Sequence, residues 1–595
     1  MAVLTAYPAP IIRIDDAGGY RVGLYQSLES AAAGLAASGG EIYLGPGTYT
    51  IDRVFELNKS KTVIRGSGPS TILVCSGTRS LAQTAIVGTY AKTYSLRGLY
   101  ITADNITLRD LTVRLPTPTP GSVMLANVGD FNTFNNVRFE LTSVGSNNDP
   151  YFGIANLGTT LNTVYNTRIT DCDFVGGDDC VGTVGFYDQA SVGSKIRGSS
   201  FGPTAIGTNG ILKYCIQHLA SSKTVISDCT FLELHGTGSQ PTAGIYSDSD
   251  SEGQHLNIHG NYFENIAAPS IIEMLGGRFS VVSDNVFGRM QVCSGGVIRV
   301  RAAGGLSGGT AQSGFDLAVE DNQFHNQGSD ATNSAINLDS VHSATVCGNN
   351  VTICPNFPQI VLGSNTKRIK MSSNQVVFQR TTSSTAITSA TASGSGLIVN
   401  LVNPSTVSGA AGDILVITTT TGTPGNYQVT GVSGSAIQIA TSCGASASIT
   451  AATYLRGPQF KVSGAWSVNA AGLTVASIVT TPTAFTSYAL VAGDYLRIVT
   501  ATGAVVPGVY AIATANAAGG SMTLSSSCGA TGTITAGEIY HEPIFACTHT
   551  TSSIESDITN NSAVGYADFI NPLTATPTDS VVTPNHAALT YTSQT

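Results

Sequence analysis

Tyrosine, acidic and arginine side chains recur at matching places in five successive segments between residues 209 and 340. The segments read NGILKYC (209–215), AGIYSDSD (243–250), SIIEMLG (270–276), GVIRVRA (296–302) and SAINLDS (334–340). The polar wall is the name used below for Tyr214, Tyr246, Asp248, Glu273, Arg299, Arg301, Asn337 and Asp339. Tyrosine rings stack on sugar faces, arginines pair with carboxylates, and two carboxyl groups can serve as acid and base. These residue types suit a site that binds and hydrolyses a glycan.

The five segments, together with DCVGTVG (179–185) and QIVLGSN (359–365), align as successive strands. The alignment matches Val181, Ile211, Ile245, Ile272, Ile298, Ile336 and Ile360. Because side chains alternate along a strand, these residues and those two places further on (Met274, Val300, Leu338 and Leu362) are predicted to point inward. The positions one and three places further on then form two outward columns. The first holds Tyr246, Glu273, Arg299 and Asn337, and the second holds Tyr214, Asp248, Arg301 and Asp339.

Asp248 and Glu273 are the predicted catalytic pair. They are offset by one strand and two strand positions, which places their Cα atoms about 8 Å apart. Carboxyl groups roughly 6.5–9.5 Å apart suit an inverting glycosidase, because a water fits between them. The alternative is a purely structural ladder of ion pairs, Glu273 with Arg299 and Asp339 with Arg301.

A rival site is GGDDCVG (176–182), in which Asp178 and Asp179 resemble the adjacent acid and base aspartates of polygalacturonases. The rest of that family's pattern is missing: IGTNG (206–210) stands where Gly-His-Gly is expected, and KRIK (367–370) lies too many turns away. An aspartate pair that stabilises a turn is the alternative, because Asp commonly bonds nearby backbone amides.

Other chemistry is open at the polar wall. His235 and His255 lie close to Asp248 in the sequence and could assist it, or could be ordinary loop residues. Tyr214, Tyr246 or Arg299 could supply the base of a β-eliminating lyase if the sugar is a uronate. No metal, phosphate, nucleotide or serine-nucleophile motif is present, so no metal or cofactor is expected.

A short sequence motif that occurs about ten times along the chain must position these residues. It reads apolar-x-apolar-x-[Asp/Gly/Ser/Asn]-[Asn/Cys/Ser]-x-[Phe/Val], as in VISDCTF (225–231) and VVSDNVF (281–287). Its closing residues are Val113, Phe139, Phe174, Phe201, Phe231, Phe263, Phe287, Phe324, Val351 and Val376, at intervals of 24 to 37 residues. Stacked turns with loops inserted between strands give such a repeat, and the polar pair suits a tight bend. The phrase predicts a parallel β-solenoid, because one turn cannot bury its apolar side alone.

The composition agrees with a β-rich chain: 66 of 595 residues are glycine and 11% are charged. The net charge of -9 and the absence of a Lys/Arg cluster argue against a nucleic-acid partner. No apolar run is long enough for a membrane helix, and the first residues do not read as a secretory signal. The 11 cysteines, several of them at one place of the repeat, are expected to be buried thiols of a protein that folds in a reducing cytoplasm.

The segments at the two ends of the repeat predict further units. Residues 24–38 have helical spacing, and such a helix can cap the open end of a solenoid. After about residue 380, GLIVNLV (396–402) and AGDILVI (411–417) match GLTVASIV (472–479) and AGDYLRI (492–498), which predicts two duplicated small β-domains. The predicted units are 1–60 with the capping helix, 61–390 the β-helix, 391–455 the first small domain, 456–471 a return to the solenoid, 472–540 the second small domain, and 541–595 a final turn and tail.

The capping helix followed by GGEIYLGPGTYTI (39–51), VIRGSGPSTIL (63–73) and repeated turns resembles the right-handed parallel β-helix proteins of the pectate-lyase superfamily, and most of all bacteriophage tailspikes and depolymerases. The resemblance covers roughly residues 20–380 and implies an all-β homotrimer of the virion tail. Such a protein folds in the host cytoplasm, meets other tail proteins, and binds or cleaves capsule, exopolysaccharide or O-antigen at the host surface. A non-catalytic receptor-binding tail protein and a free pectinase-like bacterial enzyme remain the alternatives.

Overall fold

The structure is a computed structural model, and it describes 31 stretches of the chain. They are residues 11–14, 28–82, 93–116, 119, 121–141, 151–159, 162–176, 183–203, 213–234, 243–248, 255–293, 295–302, 314–325, 334–352, 359–363, 366–377, 385–387, 389–401, 414–433, 436–439, 441–455, 459–462, 466–472, 474–477, 495–516, 521–540, 545–549, 557–564, 568–570, 581–583 and 586–588.

Outside 385–540, these residues form a parallel β-helix, as the sequence predicts, and each turn has three strand faces. The first face is a 14-stranded sheet, parallel except where Arg79–Ala82 meets Thr93–Ile101. Its strands are Phe55–Leu57, Arg79–Ala82, Thr93–Ile101, Ser122–Asn127, Tyr151–Leu157, Thr183–Gln189, Tyr214–Leu219, Ala243–Asp248, Ser270–Leu275, Ile298–Arg301, Ile336–Leu338, Ile360–Leu362, Phe545–His549 and Asp568–Ile570.

The second and third faces belong to one 27-stranded sheet that bends in every turn. The second face contains Ile11–Ile14, Gly40–Leu44, Thr62–Arg65, Thr107–Arg114, Thr133–Leu141, Arg168–Thr170, Lys195–Arg197, Val225–Ser227, Asn257–His259, Val281–Ser283, Gly314–Glu320, Val341–Cys347, Lys367–Ser372, Asp557–Thr559 and Val581–Thr583. The third contains Gly47–Ile51, Thr71–Cys75, the ends of Thr107–Arg114 and Thr133–Leu141, then Asp173–Gly176, Ser200–Pro203, Thr230–Leu232, Tyr262–Glu264, Val286–Phe287, Gln323–His325, Asn350–Thr352, Gln375–Val377, Ser562–Val564 and His586–Ala588. Two short pairs, Val164–Tyr165 with Ser191–Val192 and Ile266–Ala267 with Met290–Val292, lie between the faces.

The closing residues of the repeat lie directly opposite one another on the third face, from Val113 to Val376. All ten are fully buried. Seven of them are phenylalanines, Phe139 to Phe324, whose rings stack in register with centroids 4.5–5.0 Å apart. Stacked aromatic rings add packing energy to the area that they bury. The aromatic place of the repeat is therefore a continuous core column.

The small polar pair before each closing residue makes the bend between the second and third faces. Its first member adopts a left-handed backbone, at φ 53–56° in Asp110, Asp171, Asp228, Asp284 and Asp321. Asp, Asn and Gly tolerate this conformation best among the residues. The second member points inward, and in six successive turns it is an asparagine whose side-chain amide bonds the next one at 2.8–3.0 Å. The asparagines are Asn261, Asn285, Asn322, Asn349, Asn374 and Asn561.

The asparagine ladder shows that the chain leaves the solenoid and rejoins it. Asn374 bonds directly to Asn561, and Ile360–Leu362 pairs with Phe545–His549. The chain between Gln375–Val377 and Phe545–His549 is therefore an insertion into the solenoid. Two antiparallel sheets of seven strands occupy that insertion. The first has Thr385–Ile387, Ala390–Ala392, Ile398–Leu401, Ile414–Thr420, Gly425–Ser433, Ala436–Ile439 and Ser448–Leu455; the second has Gln459–Val462, Trp466–Val468, Thr474–Ser477, Tyr495–Val505, Gly508–Asn516, Ser521–Leu524 and Gly529–Tyr540.

The predicted return to the solenoid at 456–471 is wrong. Gln459–Val462 and Trp466–Val468 both pair antiparallel with Gly529–Tyr540, inside the second small sheet. Trp466 is fully buried in the core of that sheet, together with Val468 and Val475. The alternating residues of FKVSGAWSV suit two strands of the small sheet as well as a solenoid turn, so alternation alone could not distinguish the two.

A short helix closes the first end of the solenoid core. The predicted helix covered residues 24–38, and the structure has Leu28–Gly34, with 15–27 outside the described residues. Leu28, Ala31 and Leu35 join the same core cluster as the solenoid. The Lys59 ammonium donates to the carbonyls of Ala33 (2.9 Å) and Leu35 (2.7 Å), which have no partner within the helix. In the described part of the chain, no helix has the length and hydropathy needed to cross a membrane.

A row of polar side chains runs through the core behind the first face. Asn127, Asn156, Asp188, His218 and Ser247 follow one another in register and are fully buried. His218 Nδ1 lies 3.0 Å from Ser247 Oγ, and His218 Nε2 lies 3.1 Å from Thr224 Oγ1. Thr224 donates to Asp188 Oδ2 (3.3 Å), so its oxygen is left to accept the proton on Nε2. Burial lowers the pKa of His218, which favours the neutral ring in this row.

We expect the stability of the protein to fall below about pH 6.5 in a way that depends on His218. Burial lowers the pKa of His218 from its ordinary value of 6.5, and the neighbouring Asp188 charge only partly opposes this. Below that pH the His218 imidazole binds a proton in the unfolded chain but not in the folded chain. The free energy of unfolding then falls by at most about 1.4 kcal/mol per pH unit for this one site.

Urea unfolding of the wild type and His218→Gln across pH 5–8 measures this effect, and the exposed His255→Gln is the control. The advantage of the wild type over His218→Gln should shrink as the pH falls through 6.5. Parallel curves for the two proteins would contradict the assignment of the buried neutral histidine.

Candidate functional site

The strand register of the first face agrees with most of the sequence alignment. Ile245, Ile272, Ile298, Ile336 and Ile360 lie directly opposite one another. These five and the inward residues Met274, Val300, Leu338 and Leu362 are at most 1% exposed. Tyr246, Glu273, Arg299 and Asn337 follow in register as the first outward column. The alignment residues Val181 and Ile211 lie outside the described residues.

The alignment is wrong for Tyr214. The residue opposite Ile245 is Ile216, not Ile211, so Tyr214 lies opposite Ala243 instead of Asp248. The physical reason is that the inward place two residues after Ile216 holds the buried His218, so an apolar-x-apolar spacing does not mark this strand. Tyr214 nevertheless contacts another residue of the polar wall, because its ring centroid lies 5.0 Å from that of Tyr246.

Glu273 is the central charge of the polar wall. It is 5% exposed, and its Oε1 lies 2.9 Å from Arg301 Nε and 3.6 Å from Arg299 Nη1. The alternative ion-pair ladder paired Glu273 with Arg299 and Asp339 with Arg301, whereas both arginines contact Glu273. A single carboxylate oxygen thus holds two guanidinium groups that come from one neighbouring strand.

Asp248 lies one strand before Glu273 and two positions further along, as predicted. It pairs with Leu275, whereas Tyr246 pairs with Glu273. Asp248 is 5% exposed, and its Oδ2 accepts the Tyr246 hydroxyl at 3.3 Å. Because Tyr246 also rests on Tyr214, the two rings fix the hydroxyl beside the carboxylate. The register therefore brings both candidate carboxyl groups and one tyrosine hydroxyl to the same patch.

The remaining wall residues lie on the strand after the arginines. Asn337 is opposite Arg299, and its side-chain amide donates to the carbonyl of Gly295 at 3.0 Å. Asp339 comes just after the strand Ile336–Leu338, where its amide donates to Val300 and its carboxylate accepts the Ser340 hydroxyl at 3.4 Å. Both side chains are partly exposed beside the arginines.

The rival site cannot be compared with the polar wall. Asp178, Asp179 and His235 lie outside the described residues. His255 is described, and it lies at the bend before Asn257–His259 of the second face, with its ring stacked 5.1 Å from that of Phe279. This position belongs to a different face of the turn from the polar wall.

The sequence reading missed an aromatic cluster on the outer side of the first face. Tyr187 lies opposite Gln217, and so belongs to the same outward column as Tyr246. It is 3% exposed, packs against Phe152 with ring centroids 4.8 Å apart, and donates to Gln189. Tyr214, at 9% exposed, belongs to this cluster too. Tyr214 therefore supports Tyr246 from behind and presents little surface to a ligand.

On the third face Glu140 makes a second triad that can serve as a control. Arg114 and Arg138 both bond its carboxylate. Burial acts to raise the pKa of Glu140, but the two guanidinium groups outweigh it and hold the pKa below its ordinary value. The arginines are 41% and 33% exposed, close to the 42% and 34% of Arg301 and Arg299, while Glu140 is 22% exposed against 7% for the Glu273 side chain. Among the described residues, no group of three or more His, Cys, Asp or Glu could hold a metal ion.

Comparisons with known proteins give likenesses of fold at low identity. No protein-family model and no curated protein matches the chain. The solved structures similar to it include the A-module of a mannuronan C-5 epimerase of Azotobacter vinelandii, with 14% identity, a TM-score of 0.34, and coverage of 58% of this chain and 88% of that one. A PL6 alginate lyase in complex with a trisaccharide shows 11% identity and a TM-score of 0.34, covering 62% and 72%. A mutant tailspike protein of E. coli bacteriophage HK620 in complex with a pentasaccharide shows 9% identity and a TM-score of 0.33, covering 72% and 89%.

Proposed function

We propose that this protein binds a bacterial surface polysaccharide at the polar wall and cleaves it by glycoside hydrolysis. The observation that supports this proposal is the placement of Asp248 and Glu273, one strand and two positions apart and each 5% exposed. Such an offset corresponds to a Cα separation of about 8 Å, which leaves room for a water between the carboxyl groups.

The surroundings of the two carboxyl groups suggest different roles. Glu273, fixed by Arg299 and Arg301, suits the base that takes a proton from the attacking water. Asp248, beside the neutral Tyr246 hydroxyl, suits the acid that protonates the leaving sugar oxygen. The water then attacks the anomeric carbon from the face opposite the leaving oxygen, and the configuration inverts.

The setting proposed for this activity is the tail of a bacteriophage, where a homotrimeric spike meets the capsule, exopolysaccharide or O-antigen of its host. The solenoid supports the proposal because a stack of turns can carry one elongated binding surface on a single face. Light scattering should give three times the chain mass of 61.1 kDa. A monomer would count against the tail assignment and favour the free bacterial enzyme.

A lyase is the second candidate, and the Tyr246 hydroxyl beside Asp248 is the observation that favours it. In a uronate, a base would remove the proton next to the carboxylate, and the glycosidic carbon–oxygen bond would break to leave a double bond. Hydrolysis and elimination therefore yield different new chain ends.

Incubation of the protein with purified polysaccharides of candidate hosts tests the proposal. We expect the polymer to shorten by size-exclusion chromatography, with new reducing ends of inverted configuration by NMR. An unsaturated product that absorbs ultraviolet light would replace hydrolysis by the lyase. Tight binding with no change in polymer size would leave the non-catalytic receptor-binding protein.

A further inference from the structure

The accessible charged groups of the polar wall are two arginines and one aspartate, the partly exposed Asp339, so positive charge is in excess. The Arg301 and Arg299 side chains are 42% and 34% exposed, whereas that of Glu273 is 7% exposed. Asp248 is buried to the same degree as Glu273. A ligand that approaches Arg299 and Arg301 therefore meets two guanidinium groups before it meets the buried carboxylates of Asp248 and Glu273.

The arginines keep donors for a ligand after they have bound Glu273. Each guanidinium has five N–H donors in a planar fork. Within the described residues, Arg301 contacts Glu273 through Nε, and Arg299 through Nη1, both at the same oxygen. Two forks held side by side by one buried carboxylate can bind a second carboxylate from the solvent side, and such bidentate contacts are among the stronger hydrogen bonds.

We infer that the glycan taken by the polar wall carries carboxylate groups, as uronic or sialic acids do, and that Arg299 and Arg301 bind one of them. This inference rests on the proposed function and names the substrate class of the same site. Tyr246, directly opposite Glu273 and half-buried, lies one strand away to contact the neighbouring sugar ring. Asn337, opposite Arg299, borders the carboxylate position on the other side.

The negative net charge of the chain means that binding of an acidic polymer would require a local site. With a formal net charge of -9, the protein has no general attraction for a polyanion. At physiological ionic strength, charges farther apart than about 8 Å are largely screened, so retention of an acidic polymer reports a local site. The arginines of the Glu140 triad are equally exposed on another face. They therefore test whether any exposed arginine pair is enough to bind an acidic polymer.

The test is affinity electrophoresis of the whole protein in gels that contain polygalacturonate, alginate, hyaluronan or colominic acid. Each polymer is compared with its carboxyl-reduced form, in which the carboxylates have become alcohols, and dextran sulfate tests for simple attraction to charge. We expect at least one of the four acidic polymers to bind, with its reduced form weaker by about tenfold or more, which corresponds to loss of a charged hydrogen bond.

Substitutions of the arginines test whether the preference for the acidic polymer arises at the polar wall. Arg301→Gln should lose the preference for the acidic form, and Arg301→Lys, which keeps the charge without the fork, should lose most of it. Arg138→Gln in the Glu140 triad should leave the preference intact. Binding by none of the four acidic polymers, equal binding of acidic and reduced forms, or equal binding of dextran sulfate would overturn the inference. If the reduced polymers are bound and shortened equally well, the inference fails while the proposed function stands.

Discussion

Replacing Glu273 by glutamine should reduce glycan cleavage about 100- to 10,000-fold, the usual range for loss of a general acid or base. Glutamine keeps the size of the side chain and can still accept a hydrogen bond from Arg301, but it cannot take the proton of the attacking water. The loss is expected in kcat, because Tyr246 and the arginines that hold the sugar remain. The rate of appearance of reducing ends from the cleaved polysaccharide measures it.

Glu140→Gln is the matched control for this substitution. It also removes a carboxylate that holds two half-exposed arginines, but on the third face and away from the polar wall. If the Glu273 triad were only an ion-pair ladder, the two substitutions would affect stability comparably and neither would affect cleavage. Full cleavage by Glu273→Gln would show that the catalytic assignment is wrong.

Asp248→Asn separates the two carboxyl roles. As the proposed acid, Asp248 matters most for a substrate whose leaving group is a poor one, such as an unmodified sugar. An aryl glycoside with a good leaving group should be cleaved by Asp248→Asn much closer to the wild-type rate than the natural polymer is. Glu273→Gln should be impaired on both substrates, because the water must be activated in either case.

The repeated phrase was sufficient to predict the solenoid because each of its places has one physical role. The aromatic place stacks in the core, as Phe201 and Phe231 do, and the polar pair makes the bend. The same logic aligned Ile245 through Ile360, which lie opposite one another. It failed at Tyr214 because the inward place two residues after Ile216 holds the buried His218. An apolar spacing cannot mark a strand whose inward residue is polar.

The contacts within the polar wall could not be predicted from the sequence, for a different reason. Register fixes which residues are neighbours, but it does not fix which of two neighbours a long arginine reaches. The alternative ion-pair ladder paired Arg301 with Asp339, whereas Arg301 bonds Glu273 at 2.9 Å. The burial of each tyrosine could not be predicted either. Tyr214 and Tyr246 look alike in the sequence, yet Tyr214 is buried in the outer aromatic cluster around Tyr187.

Asp188→Ala should be among the most destabilising substitutions in the chain, lowering the free energy of unfolding by about 3 kcal/mol or more, since each buried donor left without an acceptor costs about 1–3 kcal/mol. The Asp188 carboxylate is fully buried and accepts bonds from four side chains. The donors are Asn156 (2.7 Å), Ser191 (2.6 Å), Ser194 (3.2 Å) and Thr224 (3.3 Å). Alanine would leave all four without their acceptor in a core that excludes water, and each such loss is costly.

Asp173→Ala is the control for this prediction, because Asp173 is exposed and accepts from Ser200 at the surface. Urea unfolding measures both variants, and unfolding rates at a fixed urea concentration replace equilibrium values if refolding is incomplete. Asp188→Ala should also change the response of His218 to pH, since it removes the charge that partly opposes the lowering of the His218 pKa. That pKa should then fall further, so the pH-dependent loss of stability should continue to lower pH than in the wild type. Equal losses of stability for the two alanine variants would mean that the polar row does not hold the middle turns together.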